Sequence, residues 1–273
     1  MIAFLSEMFS YPFMQTAFGV GLTVTVVSAL LGVHLVLKRY SMIGDGLSHV
    51  GFGALAIGAL LGLAPLAVAL PVVTLASFLL LRMSSKAKVK GDASVAMLSA
   101  GALAVGVCAL SIFGSSNVDL SAYMFGSLFA MTESDAAWGI AVSLVSLILY
   151  ILFYRPIFSV TFDESFAAAT GLPVGAINSL LAVLTSLTVV VGVRMMGTLL
   201  ISALIIFPPL TAMRVCKTFR STVIVSICVS VVCFSVGIVL TYLFPVQPGS
   251  CVVCVNLLAF GLFSLIGKLT KRS

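Results

Sequence analysis

The sequence predicts an all-α membrane protein, a polytopic bundle of about nine transmembrane helices with its N-terminus outside and its C-terminus cytoplasmic. Three observations predict it. Hydrophobic residues make up 61% of the 273 positions and charged residues 8%, where a soluble domain carries about 25% charged residues. Charge-free apolar runs recur at the length of about 17 to 25 residues that crosses a bilayer as a helix. Once those runs are threaded, 13 of the 14 Lys and Arg residues fall on one side, as the cytoplasmic excess of basic residues in short loops demands. The runs show no sustained two-residue alternation, which argues against a transmembrane β-barrel. The net charge of +6 is therefore topology. No basic run with interleaved aromatics is present, so nucleic acid is not an expected partner.

In chain order the expected spans are residues 15–37, 42–63, 65–81, 94–113, 136–153, 176–193, 197–213, 221–243 and 251–267. The first fourteen residues lack a basic n-region and a small-residue cleavage site, so no removable signal peptide is expected. Short loops result from the cuts at Ala64-Pro65 and at Arg194. From Ser221 to Gly267 there is no charged residue and too much chain for one span, and Pro245, Gln247, Pro248 and Gly249 supply the break. With the N-terminus outside, Lys38, Arg39, Arg82, Lys86, Lys88, Lys90, Arg155, Arg214, Lys217, Arg220, Lys268, Lys271 and Arg272 all lie inside, leaving Arg194 outside. Segments 1–14 and 117–135 mix aromatics, Met and acids, the composition of interfacial or re-entrant helices on the outer face. Residues 154–175 form the largest inside segment. Within it Asp163-Glu164 opens an Ala-rich stretch that Gly171 and Pro173 close, which predicts a short capped helix at the cytoplasmic surface.

Asp45 and His49, in SMIGDGLSHVGFGA, carry the sharpest chemical signal. An acid within a span costs about 2.5–3.5 kcal/mol at the helix centre. Their i, i+4 spacing puts both on one helical face with Cβ atoms about 5–6 Å apart, within reach of one divalent cation. Two ligands bind weakly. A symmetric pair of chains would bring two Asp and two His together, which suits Zn²⁺ and leaves room for water on Mn²⁺ or Fe²⁺. The competing role is structural, with Asp45 capping the second span and His49 bonded within the bundle. His34, one turn before Lys38-Arg39, is a candidate secondary metal contact, with a structural hydrogen bond as the competing role. Pro208 and Pro209 must interrupt the seventh span, because each ring removes a backbone donor; a gating kink competes with one that only packs. Of six cysteines, Cys251 and Cys254 alone have suggestive spacing, as a disulfide or as small apolar helix residues. Walker-type, HExxH and GxSxG motifs are absent from the sequence. No ATPase, hydrolase or other enzyme site is expected in this chain.

The sequence resembles the integral-membrane permeases of bacterial ABC importers for zinc, manganese and iron. The likeness runs through YPFMQTAF, LVLKRYSMIGDGLSHVGFGA, SSNVDLSAYMFGSL, FDESFAAATGLPVG and GVRMMGTLLISALIIFPPLTAMR. It implies one transmembrane permease domain over residues 1–273 in the bacterial inner membrane, with a coupling segment around 161–175. It also implies a homodimer, or a pair with a closely related permease, whose axis carries the ion. Cytoplasmic ATP-binding subunits use the ATP, an extracytoplasmic metal-binding protein delivers the metal, and no cofactor is permanently bound. The family's pathway acid and histidine fall on Asp45 and His49, and Asp163, Glu164, Phe166, Gly171, Leu172 and Pro173 fall on its ATPase-coupling helix. Two positions depart from the family pattern: His34 stands where an aromatic is usual, and Phe207-Pro208-Pro209 where a single Pro with a small neighbour is usual. Protonation of His49 would oppose metal binding, so transport should fall at acidic pH.

Three other readings compete. An ion-coupled secondary metal transporter would use intramembrane acids for the coupling ion, but one acid and one His make a thin relay. An intramembrane enzyme would use Ser48-His49 or Asp45-His49, but adjacent helical residues diverge by about 100°, so Ser48 and His49 do not pair as nucleophile and base in the usual way. A permease for a chelate or cobalamin would need a wide path and no Asp/His pair.

Overall fold

The computed structural model describes residues 7–86, 91–113, 126, 128, 132–244 and 246–270. Among them are eleven helices and no strand. They are α1 (Pro12–Leu37), α2 (Ser41–Leu60), α3 (Pro65–Lys86), α4 (Gly91–Phe113), α5 (Glu133–Leu152), α6 (Tyr154–Phe162), α7 (Glu164–Ala169), α8 (Val174–Met196), α9 (Thr198–Ala212), α10 (Phe219–Leu243) and α11 (Pro248–Thr270). Seven of these, α1, α2, α4, α5, α8, α10 and α11, are long and apolar enough to cross a membrane, and shorter apolar helices cover Pro65–Leu80 and Thr198–Ala212. The chain is a multi-pass membrane protein.

Helix α2 sits at the centre, packed by α3, α4, α8 and α9, while α1 packs on α5, α8, α9 and α10. Small residues allow these contacts. A Cβ on Gly53 would stand 2.7 Å from the carbonyl oxygen of Ala102, so α2 and α4 meet backbone to backbone. The main buried cluster joins Leu47, Val50, Val73, Val190, Leu204 and Phe234. A second, with Leu31, Tyr150, Ile157 and Leu184, lies where α6 closes one end of the bundle.

Three sequence expectations are corrected. Pro208 and Pro209 do not interrupt α9, which continues to Ala212, with the Met213 N–H returning to the Pro209 carbonyl at 3.0 Å. Pro209 has no N–H to give the carbonyl of Ile205, four residues back. That carbonyl instead faces α1, where a Cβ on Gly32 would fall 2.1 Å from its oxygen. Only glycine leaves space for this close approach, in which a Cα–H can meet the unpaired carbonyl. The inside segment 154–175 holds two helices, not one, because Pro156 falls in the first turn of α6, where a missing N–H is harmless. Third, part of segment 1–14 is core: Met8 is fully buried, and α1 starts already at Pro12. Residues 1–6 of that segment lie outside the described residues. So do 117–125, 127 and 129–131 of the other segment expected at the outer face. Of the rest of that segment, Leu128 is buried, and Gly126, at φ 81°, runs so close to the backbone of Met196 that a Cβ would clash at 2.2 Å.

Candidate metal centre

Helix α2 starts at Ser41, so Asp45 and His49 occupy its second and third turns. The i, i+4 register brings the Asp45 Oδ1 and His49 Nε2 atoms to 3.8 Å, with the side chains 43% and 20% exposed. Two metal bonds of about 2.1 Å can span a ligand separation of up to about 4.2 Å. A single cation therefore fits between the pair with small side-chain rotations. The second ring nitrogen, Nδ1, is buried with no hydrogen-bond partner among the described residues. Behind the pair, Ser48 donates to the Asp45 carbonyl at 2.7 Å or meets Ser202 of α9 at 3.0 Å, and Ser202 reaches the Thr198 carbonyl at 2.9 Å. These hydroxyls pin the flank of α2 beside the pair to α9. Among the described residues no group of three or more His, Cys, Asp or Glu stands together. One chain thus offers two protein ligands.

His34 is not drawn into this site. It is fully buried, with Nε2 2.7 Å from the Tyr150 hydroxyl and Nδ1 2.8 Å from Thr161 Oγ1. Thr161 also stands 2.7 Å from the Ile157 carbonyl, to which it donates its proton. Its oxygen is then an acceptor, which makes His34 Nδ1 the protonated nitrogen and Nε2 the acceptor of the tyrosine O–H.

One turn on, Lys38, 8% exposed, donates to Glu164 at 2.8 Å and to Asn178. Partial burial alone would raise the Glu164 pKa, but the hydrogen bonds from Lys38 and Asn178 and the Lys38 charge outweigh it, and the carboxyl lies below its ordinary range. Between α1 and α2 the chain turns in three residues, Lys38, Arg39 and Tyr40. The N–H of Arg39 bonds the Val36 carbonyl at 3.1 Å and that of Tyr40 the Leu35 carbonyl at 2.7 Å, with Arg39 left-handed at φ 61°. That is the Schellman closure, with arginine where glycine is usual.

In the segment after α6, Asp163 caps α7 by accepting from the Phe166 N–H at 2.9 Å. Gly171, at φ 82°, closes α7 with the Leu172 N–H returning to Ala167 at 3.0 Å, and Pro173 precedes α8. Phe162 and Phe166 are left 61% and 64% exposed. Pro208 and Pro209 are buried within α9. At the far end of α5 and α8, Arg194 pairs with Asp135 at 3.2 Å, and all six cysteines are free thiols.

The structural hydrogen bonding that the sequence offered as one role of His34 is present, but sequence reasoning missed the partners of His34 and Lys38 and the Ser48–Ser202 contact. Only the polar residues themselves, isolated in apolar helices, could have signalled them.

Fold and site together define a multi-pass helical membrane protein with a carboxylate–imidazole pair on its central helix. Residues 10–267 match the model of the ABC 3 transport family, and the chain belongs to that family. It is 27% identical to the manganese transport system membrane protein MntC of Halalkalibacterium halodurans, over 95% of this chain and 89% of that one. To the chelated iron transport system membrane protein YfeD of Yersinia pestis it is 27% identical, over 95% and 87%. Among solved structures, PsaBC from Streptococcus pneumoniae, in complex with Fab, is 28% identical with a TM-score of 0.85, covering 96% of this chain and 95% of that one.

Proposed function

We propose that the chain is the permease subunit of an ATP-driven importer for a divalent transition metal, zinc, manganese or iron. The observation that carries this is the 3.8 Å pairing of Asp45 and His49 on the central helix, in a chain of the ABC 3 transport family. Relatives named for manganese and for chelated iron support the cargo class. Two copies of the chain form a dimer whose axis is the path, and each supplies one Asp45 and one His49 as the ion sheds part of its water shell. The seven long helices and the two shorter ones all cross the bacterial inner membrane, with the N-terminus outside. A metal-binding protein docks on the outer face.

The α6–α7 end faces the cytoplasm. There Asp163, Glu164, Phe166, Gly171, Leu172 and Pro173 form the segment that a partner ATPase grips, with Phe166 exposed as an apolar contact. The partner supplies ATP hydrolysis. Pro208 and Pro209 weaken the backbone bonding of α9 where it passes α1, and α9 flexes there as the path changes access.

The test is uptake of Zn²⁺, Mn²⁺ and Fe²⁺ into proteoliposomes holding this chain, its ATPase and its binding protein. Uptake should require ATP and favour one metal. Asp45→Ala and His49→Ala should each abolish it while the complex still assembles. Uptake that survives both substitutions would make the pair structural. Uptake driven by an ion gradient without ATP would establish the secondary-transporter alternative.

A further inference from the structure

The last turn of α1 is held at two levels by the α6–α7 end of the bundle. His34 bonds Thr161 of α6 and Tyr150 of α5, and Lys38, four residues on and on the same face, bonds Glu164 of α7 and Asn178 of α8. Thr161 directly precedes the exposed Phe162 and lies two residues before Asp163, the cap of α7. Space filling does not explain a histidine here. Phe219 stands 5.4 Å from the His34 ring, and Tyr154, Phe158 and Phe162 surround Phe219 at 4.8–6.1 Å. A phenyl ring in this nest would avoid desolvating two ring nitrogens. The imidazole adds two hydrogen bonds of fixed direction.

The Schellman turn of Arg39 and Tyr40 then joins α1 to α2 as a stiff corner. Asp45 follows Lys38 by only seven residues. A displacement of α6–α7 therefore has a short bonded route to the ligand pair: Thr161 to His34, Glu164 to Lys38, along the end of α1 and round the corner into α2.

We infer that His34 and Thr161 are positioning residues which carry movement of the α6–α7 segment to Asp45 and His49, and that the Nδ1 bond of His34, not its Nε2 bond, is the one that carries it. The inference rests on the proposed transport function. The two ring nitrogens lead to different elements. Nδ1 reaches α6, beside the exposed face, whereas Nε2 reaches Tyr150 within the membrane helix α5.

The two arms can be cut separately. Asn places an amide N–H where Nδ1 stood, and Gln places an amide oxygen where Nε2 stood. His34→Asn thus keeps the Thr161 bond, and His34→Gln keeps the Tyr150 bond. The measurement is metal ions moved per ATP hydrolysed, by the full transporter in proteoliposomes with its ATPase and binding protein, the favoured metal being the probe. Thr161→Val and His34→Gln should lower that ratio by about fivefold or more while ATP hydrolysis continues. His34→Asn and Tyr150→Phe should hold it within about twofold of wild type, a change too small to reflect a lost coupling bond.

If Thr161→Val does not assemble, His34→Gln with His34→Asn still decides the question, because both remove one arm of the same ring. The inference is overturned if Thr161→Val and His34→Gln stay coupled, or if Tyr150→Phe uncouples as strongly as they do. Failure of the wild type to move metal with ATP would instead remove the transport reading itself.

Discussion

Gly32→Ala tests the close contact between α1 and α9. A Cβ there would lie 2.1 Å from the Ile205 carbonyl oxygen and 3.0 Å from Pro209 Cγ. Ordinary contact begins near 3.4 Å, so the two helices must part by roughly 1 Å or more. The obstructing atom is backbone and cannot rotate away. Overpacking of this kind costs about 1–3 kcal/mol, and a clash with backbone belongs at the upper end. Against it stands the gain of about 1 kcal/mol that alanine has over glycine in a helix. The net loss is about 2 kcal/mol, or roughly 4–8 °C in melting temperature for a chain of this size. Gly19→Ala, on the same helix with nothing within 4 Å, receives the helical gain without the clash and is the control. Melting of the purified chain in detergent, followed through its single tryptophan, Trp138, compares the two. A Gly32→Ala variant that melts at or above Gly19→Ala would refute the contact.

Two further outcomes concern the charged pairs. Glu164 is held below its ordinary pKa by Lys38 and Asn178 against the opposing effect of partial burial, so its stabilisation is full above the ordinary value and fades as pH falls through the lowered one. Glu164 is half exposed, at 51%, and the worth of the pair is at most about 1 kcal/mol. Glu164→Gln should therefore melt below wild type at neutral pH and converge with it on acidification; a gap that widens in acid contradicts the assignment. At the other end, Arg194→Gln removes the cation from Asp135, which is only 15% exposed and keeps the Thr132 hydroxyl at 2.9 Å. For a pair whose arginine is one-third exposed it should cost about 1 kcal/mol, while Arg194→Gln with Asp135→Asn should cost less, and additive losses in this double-mutant cycle would show the pair to be uncoupled.

The long helices were legible because span length and hydropathy are local properties. The expected 15–37, 94–113, 176–193 and 221–243 became Pro12–Leu37, Gly91–Phe113, Val174–Met196 and Phe219–Leu243, each running a few residues past the apolar core. Asp45 and His49 were legible because i, i+4 register fixes their proximity before any tertiary contact forms. The capped α7 was legible for the same reason, since Asp163 and Gly171 act within one short segment. Helix α6 was not, because Arg155 and Pro156 read as a loop until Pro156 is seen to fall in a first turn. Continuity of α9 through Pro208 and Pro209 depends on Gly32, some 170 residues earlier in the chain. The bonds of His34 reach partners 116 and 127 positions away, and no periodicity encodes such pairs.

Weak binding and directed release make opposite demands on a membrane site, and the geometry answers them with different residues. A cation held by four protein ligands within one chain would be stable but slow to leave. With two ligands per chain, the separation between Asp45 and His49 stays nearly constant, because both ride on the same turns of α2. The distance between pairs in two copies of the chain is the variable quantity. On the proposed dimer, affinity is then set by how far apart two rigid helices stand, and tilting α2 changes four metal bonds at once without melting any helix. The handles for such a tilt are in place. Ser48 and Ser202 join α2 to α9, a continuous helix in which Pro209 has no N–H to give, and the Arg39 turn joins it to α1, whose last turn is bonded to α6, α7 and α8. The proposed ligands thus ride on a helix whose backbone is packed on four others, while the polar contacts that fix its orientation lie on α1 and α9.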